Sequence, residues 1–162
     1  MSTRDFSHLD ETGGISMVDV GIKRTTFREA VATATVRMKP ATLKKLADRA
    51  LPKGDVLATA KVAGVLAAKQ TPNLIPLAHP LALHSIDITF DLDTAGGTIE
   101  VRAIVRCEGK TGVEMEAMTA CAIAALTIYD MCKSAEKGIV IDGLKLMRKS
   151  GGKSGTWERD AG

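Results

Sequence analysis

Strict alternation of apolar and polar residues is the sequence feature that most constrains the fold of this chain. Apolar residues occupy every second position on both sides of the turn Ala95-Gly96-Gly97; they are Ile86, Ile88, Phe90 and Leu92 before it, and Ile99, Val101, Ala103, Val105 and Cys107 after it. A period of two on either side of a glycine turn predicts a β-hairpin with one face in a core.

The other periodicities place this hairpin among helices and further strands. Alternation over 30–38 predicts a strand. Two helices are predicted next, one starting at Pro40, and one that Asp55 caps and Pro72 ends. A long helix, apolar nearly all round, is predicted over about 111–135, and a strand over 139–147.

This order of elements predicts an α+β fold. With the two early helices counted as one broken crossover, it matches the split βαβ of a ferredoxin-like sandwich, an antiparallel sheet with helices on one face. We expect the apolar helix to be buried twice, against its own sheet and against another subunit, which predicts an oligomer. One domain is predicted over 17–155, between a flexible arm, 1–16, and a flexible tail, 156–162.

Composition excludes several functional classes. Only three Phe, one Tyr and one Trp occur among 162 residues, and the net charge is +3, which disfavours a nucleic-acid-binding surface. We predict no membrane-spanning segment and no export signal, because no apolar run approaches about 20 residues and the N-terminus is polar. Three cysteines without CxxC spacing predict reduced, buried thiols in a cytoplasmic protein, and no metal site.

Two segments could carry chemistry at loop and helix ends. His79 lies between Pro76 and Pro80 on a stiff backbone that suits a positioned ligand, although a capped turn histidine explains it as well. Glu114 and Glu116 lie in the first turn of the long helix, where free N–H groups suit phosphate. The two carboxylates can equally complement the helix dipole.

Two further features involve charge. Asp130 and Lys133 are spaced i, i+3 within an apolar helix, and a desolvated lysine beside a carboxylate is a plausible acid–base pair. Because Glu116 and Asp130 lie about 21 Å apart along one helix, a site that uses both is elongated or shared between subunits. Residues 143–155 carry only basic charge, which suits a polyphosphate or a solvated tail.

Several long motifs together resemble the cyclic pyranopterin monophosphate synthase family of molybdenum-cofactor biosynthesis. They are MVDV, LIPLAHPL, CEGKTGVEMEAMTA, LTIYDMCK and KSGGKSG, in that order, and the similarity extends over about 17–155. One departure is Ala78, where the family usually has cysteine. The resemblance implies a lyase that converts 3′,8-cyclo-7,8-dihydroguanosine 5′-triphosphate to cyclic pyranopterin monophosphate with loss of pyrophosphate. It also implies a homohexamer, a trimer of dimers, with active sites between subunits.

The resemblance also implies roles for individual residues. Asp130, Lys133 and Lys53 match the catalytic residues. The substrate-binding positions that match are Leu77, Ala78, His79, Met115 and Glu116, with Arg28, Lys69, Glu114, Lys149 and Lys153 as pocket neighbours. No cofactor is implied, and a Mg²⁺ ion that accompanies the triphosphate is left open. The alternative function is a non-catalytic, ferredoxin-like module that binds a nucleotide and regulates.

Overall fold

Five strands form one antiparallel sheet in the computed structural model, which describes residues 12–160. The strands are β1 (Thr26–Arg37), β2 (Leu83–Asp93), β3 (Thr98–Gly109), β4 (Val140–Ser150) and β5 (Trp157–Glu158), and the helices are α1 (Pro40–Ala47), α2 (Val56–Leu74) and α3 (Glu114–Cys132). The order in the sheet is β2-β3-β1-β4-β5, with every neighbouring pair antiparallel. Because β3 lies between β1 and β2, the predicted split βαβ of the ferredoxin-like fold is confirmed.

The predicted hairpin is β2 and β3, and its turn is tied to the end of β1. Met38 N donates to the Gly97 carbonyl at 2.8 Å. Gly97 has φ +70°, and a Cβ at this position would lie 2.1 Å from the Met38 carbonyl oxygen. The close approach and the left-handed backbone together require glycine here.

Small residues bring α2, α3 and the sheet into close contact. Ala30, Ala32 and Ala34 on β1 are fully buried in the single core. A Cβ at Gly64 on α2 would lie 2.9 Å from the backbone oxygen of Ala120 on α3, so the two helices nearly touch at this point. A core of this kind has little room for rings, which explains the scarcity of aromatic residues.

A second face of α3 packs against α2 of the same chain, and further burial against another subunit stays a prediction. Because α2 and the sheet both pack against the helix, most of its apolar residues are buried within the one chain. Leu126 is left exposed on α3. By length and composition α3 could cross a membrane, but more than half of it is buried inside the described chain.

Two predicted boundaries differ from the structure. Pro72 does not end α2, which continues to Leu74, because a proline in the last turn removes only one N–H bond and Ile75 N still reaches the Thr71 carbonyl at 2.9 Å. The predicted tail 156–162 is corrected as well, since β5 lies within it. Residues 1–11 of the predicted arm and residues 161–162 lie outside the described residues.

Candidate active site

Asp130 lies between two lysine ammonium groups at the C-terminal end of α3. Lys133 Nζ donates to Oδ1 at 2.6 Å, and Lys53 Nζ donates to Oδ2 at 3.2 Å and to the Asp130 carbonyl at 2.9 Å. Lys133 comes from the same end of the helix, whereas Lys53 comes from the loop between α1 and α2. We call these three residues the Asp130 cluster.

The Asp130 cluster is open to solvent in the single chain. The side chains of Asp130 and Lys133 are 55% and 52% exposed. The prediction of a desolvated pair inside a buried helix is therefore wrong for one chain. The apolar neighbours Met131 and Cys132 are buried in the core, while Asp130 and Lys133 lie on the outer side of the helix.

Hydrogen bonding fixes the charge state of the Asp130 cluster. The hydrogen bond from Lys133, followed by that from Lys53, holds the pKa of Asp130 below its ordinary value. The same bond to Asp130 raises the pKa of Lys133. At neutral pH the carboxylate is thus ionised and the Lys133 ammonium carries a proton, so the cluster is an ion pair in the single chain.

A cavity of about 810 Å³ lies at the opposite, N-terminal end of α3. We call it the basic cavity, because six cationic side chains line it against two carboxylates. The cations are Lys23, Arg24, Arg28, Lys110, Lys149 and Lys153, and the carboxylates are Glu29 and Glu114. Its volume and its excess of positive charge suit a small polyanion such as a nucleotide polyphosphate.

Both carboxylates of the basic cavity are already neutralised by cations. Glu114 accepts from Lys149 Nζ at 2.8 Å. Glu29, whose side chain is only 15% exposed, accepts from Arg106 and Arg148, each at 2.6 Å. The remaining cations of the cavity are therefore available to a bound anion.

Arg28 holds the wall of the basic cavity together. Its NH1 group donates to the Gly151 carbonyl at 3.1 Å and its Nε to the Gly109 carbonyl at 3.4 Å. Thr26, two residues earlier on β1, also lines the cavity, and its Oγ1 is the one buried side-chain oxygen or nitrogen of residues 12–160 without a hydrogen-bond partner.

Glu116 is a buried carboxyl in the first turn of α3, 4% exposed. Burial raises the pKa of Glu116 to about 7, its own backbone N–H lowers it, and the nearby charge of Glu114 adds to the rise. After burial itself, the charge of Glu116 is the largest cause that raises the pKa of Cys107. Near neutral pH this carboxyl can therefore hold or release a proton.

The segment 77–79, between α2 and β2, is half-buried. His79 Nε2 is 2.8 Å from the Val18 carbonyl oxygen, which joins this segment to the chain that precedes β1. Leu77 and Ala78 are half-buried beside it. Met115 is partly exposed, and Lys69 is exposed on α2, belonging neither to the Asp130 cluster nor to the lining of the basic cavity.

Seven of the predicted site residues thus form two groups at opposite ends of one helix. Arg28, Glu114, Lys149 and Lys153 line the basic cavity, while the Asp130 cluster lies at the other end. Since α3 is continuous, Glu116 and Asp130 remain about 21 Å apart in one chain. A single chain therefore does not bring all the predicted residues into one compact site.

Comparison with known proteins decides the family. The profile of the MoaC family matches residues 17–152. A cyclic pyranopterin monophosphate synthase of Geobacter sulfurreducens (strain ATCC 51573 / DSM 12127 / PCA) is 58% identical over 157 residues, which cover 97% of this chain and 98% of that protein. The chain belongs to the MoaC family. Proteins with the same name from Roseiflexus sp. (strain RS-1) and Pelobacter propionicus (strain DSM 2379 / NBRC 103807 / OttBd1) are 56% and 52% identical, over 96% and 98% of this chain and 99% of each relative.

The MoaC match includes the Asp130 cluster and most of the basic cavity. Lys153, Ser154 and β5 lie beyond the matched residues. Among the cavity residues, the adjacent cations Lys23 and Arg24 were not predicted, although such a pair was an available signal. Thr26 and Glu29 were not predicted either, because their positions depend on strand register that local sequence does not reveal. Within residues 12–160, no three His, Cys, Asp or Glu side chains lie close enough to hold a metal ion.

Proposed function

We propose that this MoaC-family chain is a cyclic pyranopterin monophosphate synthase of molybdenum-cofactor biosynthesis. Its substrate is 3′,8-cyclo-7,8-dihydroguanosine 5′-triphosphate, and its products are cyclic pyranopterin monophosphate and pyrophosphate. The observation that carries the proposal is the carboxylate of Asp130 held between the ammonium groups of Lys133 and Lys53. A module that only binds a nucleotide needs no such acid–base group, so this observation disfavours the regulatory alternative.

The basic cavity is proposed to bind the triphosphate. Arg28, Lys149 and Lys153 line it, and the charges of Arg28 and Lys153, which no carboxylate of the cavity neutralises, would act on the phosphates and the leaving pyrophosphate. Lys69, on the exposed side of α2, is proposed to add a further cation from outside the cavity. The segment 77–79, with Met115 and Glu116, would bind the pterin precursor by polar and apolar contacts rather than by aromatic stacking.

The Asp130 cluster is proposed to move protons during ring formation. A hydroxyl derived from the ribose attacks the α-phosphorus, its O–H proton passes to a base, and the bond to the β-phosphate breaks with pyrophosphate as leaving group. Asp130 would accept protons, and the protonated Lys133 would donate them. Lys53, which contacts both the carboxylate and the carbonyl of Asp130, would hold this residue in place.

The complete site is proposed to form between copies of the chain in a homohexamer, a trimer of dimers. Two observations support an assembly. The basic cavity and the Asp130 cluster lie at opposite ends of α3, so a second copy is needed to bring one of each together. Apolar side chains that an interface could cover are also exposed on the outer faces of α2 and α3, namely Val62, Leu66, Leu74 and Leu126.

We further propose a cytoplasmic enzyme without a resident metal, membrane or nucleic-acid partner. The three free, buried cysteines are consistent with a reducing compartment. Any Mg²⁺ that takes part would enter bound to the triphosphate, since Glu29 and Glu114 at the cavity are already paired with cations. Addition of EDTA to a turnover assay at limiting Mg²⁺ tests this role.

The experiment that tests the function is a turnover assay with the cyclised GTP substrate. Wild-type protein is expected to release pyrophosphate and to form cyclic pyranopterin monophosphate in equal amounts. Lys133→Ala is expected to reduce turnover by about a hundredfold or more, since it removes the proposed proton donor. Lys137→Ala, an exposed lysine just beyond the same end of α3, is the matched control and should turn over normally.

The oligomeric state of each variant is measured alongside turnover. Normal turnover by a Lys133→Ala protein of wild-type assembly would contradict the catalytic role of Lys133. Tight substrate binding by the wild type without pyrophosphate release would favour the regulatory module instead.

A further inference from the structure

Residues 157–159, near the end of the described chain, are hydrogen-bonded to β4. Lys149 pairs with Trp157 and Arg148 with Glu158 in the antiparallel register of β4 and β5. Arg159 continues the attachment, since its backbone N–H donates to the Met147 carbonyl at 2.8 Å and its Nε to the Leu146 carbonyl at 2.7 Å. We call residues 157–159 the C-terminal clip.

Side chains reinforce the C-terminal clip on both sides. The Arg159 guanidinium carbon lies 5.5 Å from the centre of the Trp157 ring, a cation–π contact. Arg148 Nε lies 3.8 Å from Glu158 Oε1, while its NH1 group binds Glu29 beside the basic cavity. The clip therefore contacts the same strand that supplies cavity residues.

Between β4 and the clip runs a glycine-containing loop, residues 151–156, that forms part of the basic cavity. The start of this loop is fixed against β1, because Arg28 donates to the Gly151 carbonyl and a Cβ at Gly151 would lie 2.0 Å from the Phe27 carbonyl oxygen. Within the loop, Gly155 N donates to the Gly152 carbonyl at 3.2 Å. Within residues 12–160, the C-terminal clip provides the contacts that hold the other end of this loop.

We propose that the C-terminal clip is a positioning element that holds Lys153 and Ser154 at the basic cavity for binding of the substrate triphosphate. The identity of the ligand rests on the proposed function. The role assigned to the clip goes beyond the hydrogen bonds by which β5 extends the sheet. Trp157 and Arg159 act through the loop and do not touch the ligand.

The physical basis is preorganisation. A loop that is anchored at only one end samples many conformations. Gly151, Gly152 and Gly155 all have positive φ in the folded chain, and glycine adopts many other backbone conformations as readily. Anchoring the second end removes this freedom before the ligand binds. Without the second anchor, the ligand must order the loop and the side chains of Lys153 and Ser154 when it binds. We expect the entropy cost of this ordering to weaken binding about tenfold.

The test measures binding of inorganic tripolyphosphate to the full-length protein by titration calorimetry. A variant that ends at Thr156, and so lacks the clip, is expected to bind about tenfold more weakly, with unchanged thermal unfolding and oligomeric state. Arg159→Ala should weaken binding in the same direction, and Arg159→Lys, which keeps a cation over Trp157, should restore part of it. Asp160→Ala, at the next exposed residue, is the matched control.

A second comparison separates positioning from general loss of structure. In a Lys153→Ala background, removal of the clip should have a much smaller effect on the dissociation constant, because the clip acts through Lys153. Equal dissociation constants for wild type and truncated protein, or equal losses in both backgrounds, would overturn the inference. Because tripolyphosphate is not turned over, a protein that binds it in this pattern but releases no pyrophosphate from the cyclised nucleotide contradicts only the proposed function.

Discussion

Replacing Glu116 by glutamine is expected to change how stability depends on pH. Burial of Glu116 raises its pKa from 4.5 to about 7 in the folded chain. The folded state then holds a proton that the unfolded state releases, so stability falls as the pH rises from 4.5 to 7 and is constant above this range. At about 1.4 kcal/mol per pH unit, the Glu116 carboxyl makes the free energy of unfolding about 3 kcal/mol lower at pH 7.5 than at pH 4.

The Glu116→Gln variant removes this titration and keeps the shape of the side chain. Its free energy of unfolding, minus that of the wild type, should rise by about 3 kcal/mol between pH 4 and pH 7.5. Urea unfolding at several pH values, at one fixed protein concentration, measures this difference. Glu108→Gln, at an exposed position on β3, is the matched control, because it makes the same substitution outside the core. A constant difference for Glu116→Gln would refute the reasoning.

Two further substitutions and one labelling experiment test the helix contact, the helix cap and the burial of the cysteines. Gly64→Ala should destabilise the chain by about 1–3 kcal/mol, because the new Cβ would lie 2.4 Å from Ile88 Cδ1 and 2.9 Å from the Ala120 oxygen; a melting temperature at or above that of the wild type would contradict the close helix contact. Asp55→Ala removes the side-chain cap on Ala58 N and should cost about 1 kcal/mol in urea unfolding, whereas no loss would mean that the cap is redundant. Burial raises the pKa of Cys121 to about 12, so the native protein should resist a thiol reagent that labels all three cysteines in urea; fast native labelling would contradict their burial.

Local sequence signals predicted most of the elements. The alternation over 86–107 defined the hairpin, and Asp55 marked the start of α2, where its carboxylate accepts from Ala58 N at 3.0 Å. These signals suffice because turns, caps and periodicity depend on neighbouring residues. β5 was not predictable in this way, because a two-residue strand has no period and depends on pairing with distant β4.

The site was predictable in its residue types but not in its surroundings. The spacing of Asp130 and Lys133 predicted their ion pair, which the structure shows at 2.6 Å. Their exposure was not predictable, because it depends on which side of α3 meets α2 and the sheet. The arrangement of Arg28 against Gly151 depends equally on the register between β1 and β4, which only the folded chain determines.

Mixing two inactive variants tests the central claim, an active site assembled from two copies, most directly. One variant is Lys133→Ala, and the other, Arg28→Ala with Lys149→Ala, alters only the basic cavity. Co-expressed in equal amounts with different tags and purified as mixed oligomers, they should recover about a quarter of the wild-type sites, since one in four pairings joins an intact cluster to an intact cavity. Pyrophosphate release at about this level is the predicted result. Mixed oligomers that remain as inactive as each variant alone would contradict the shared site.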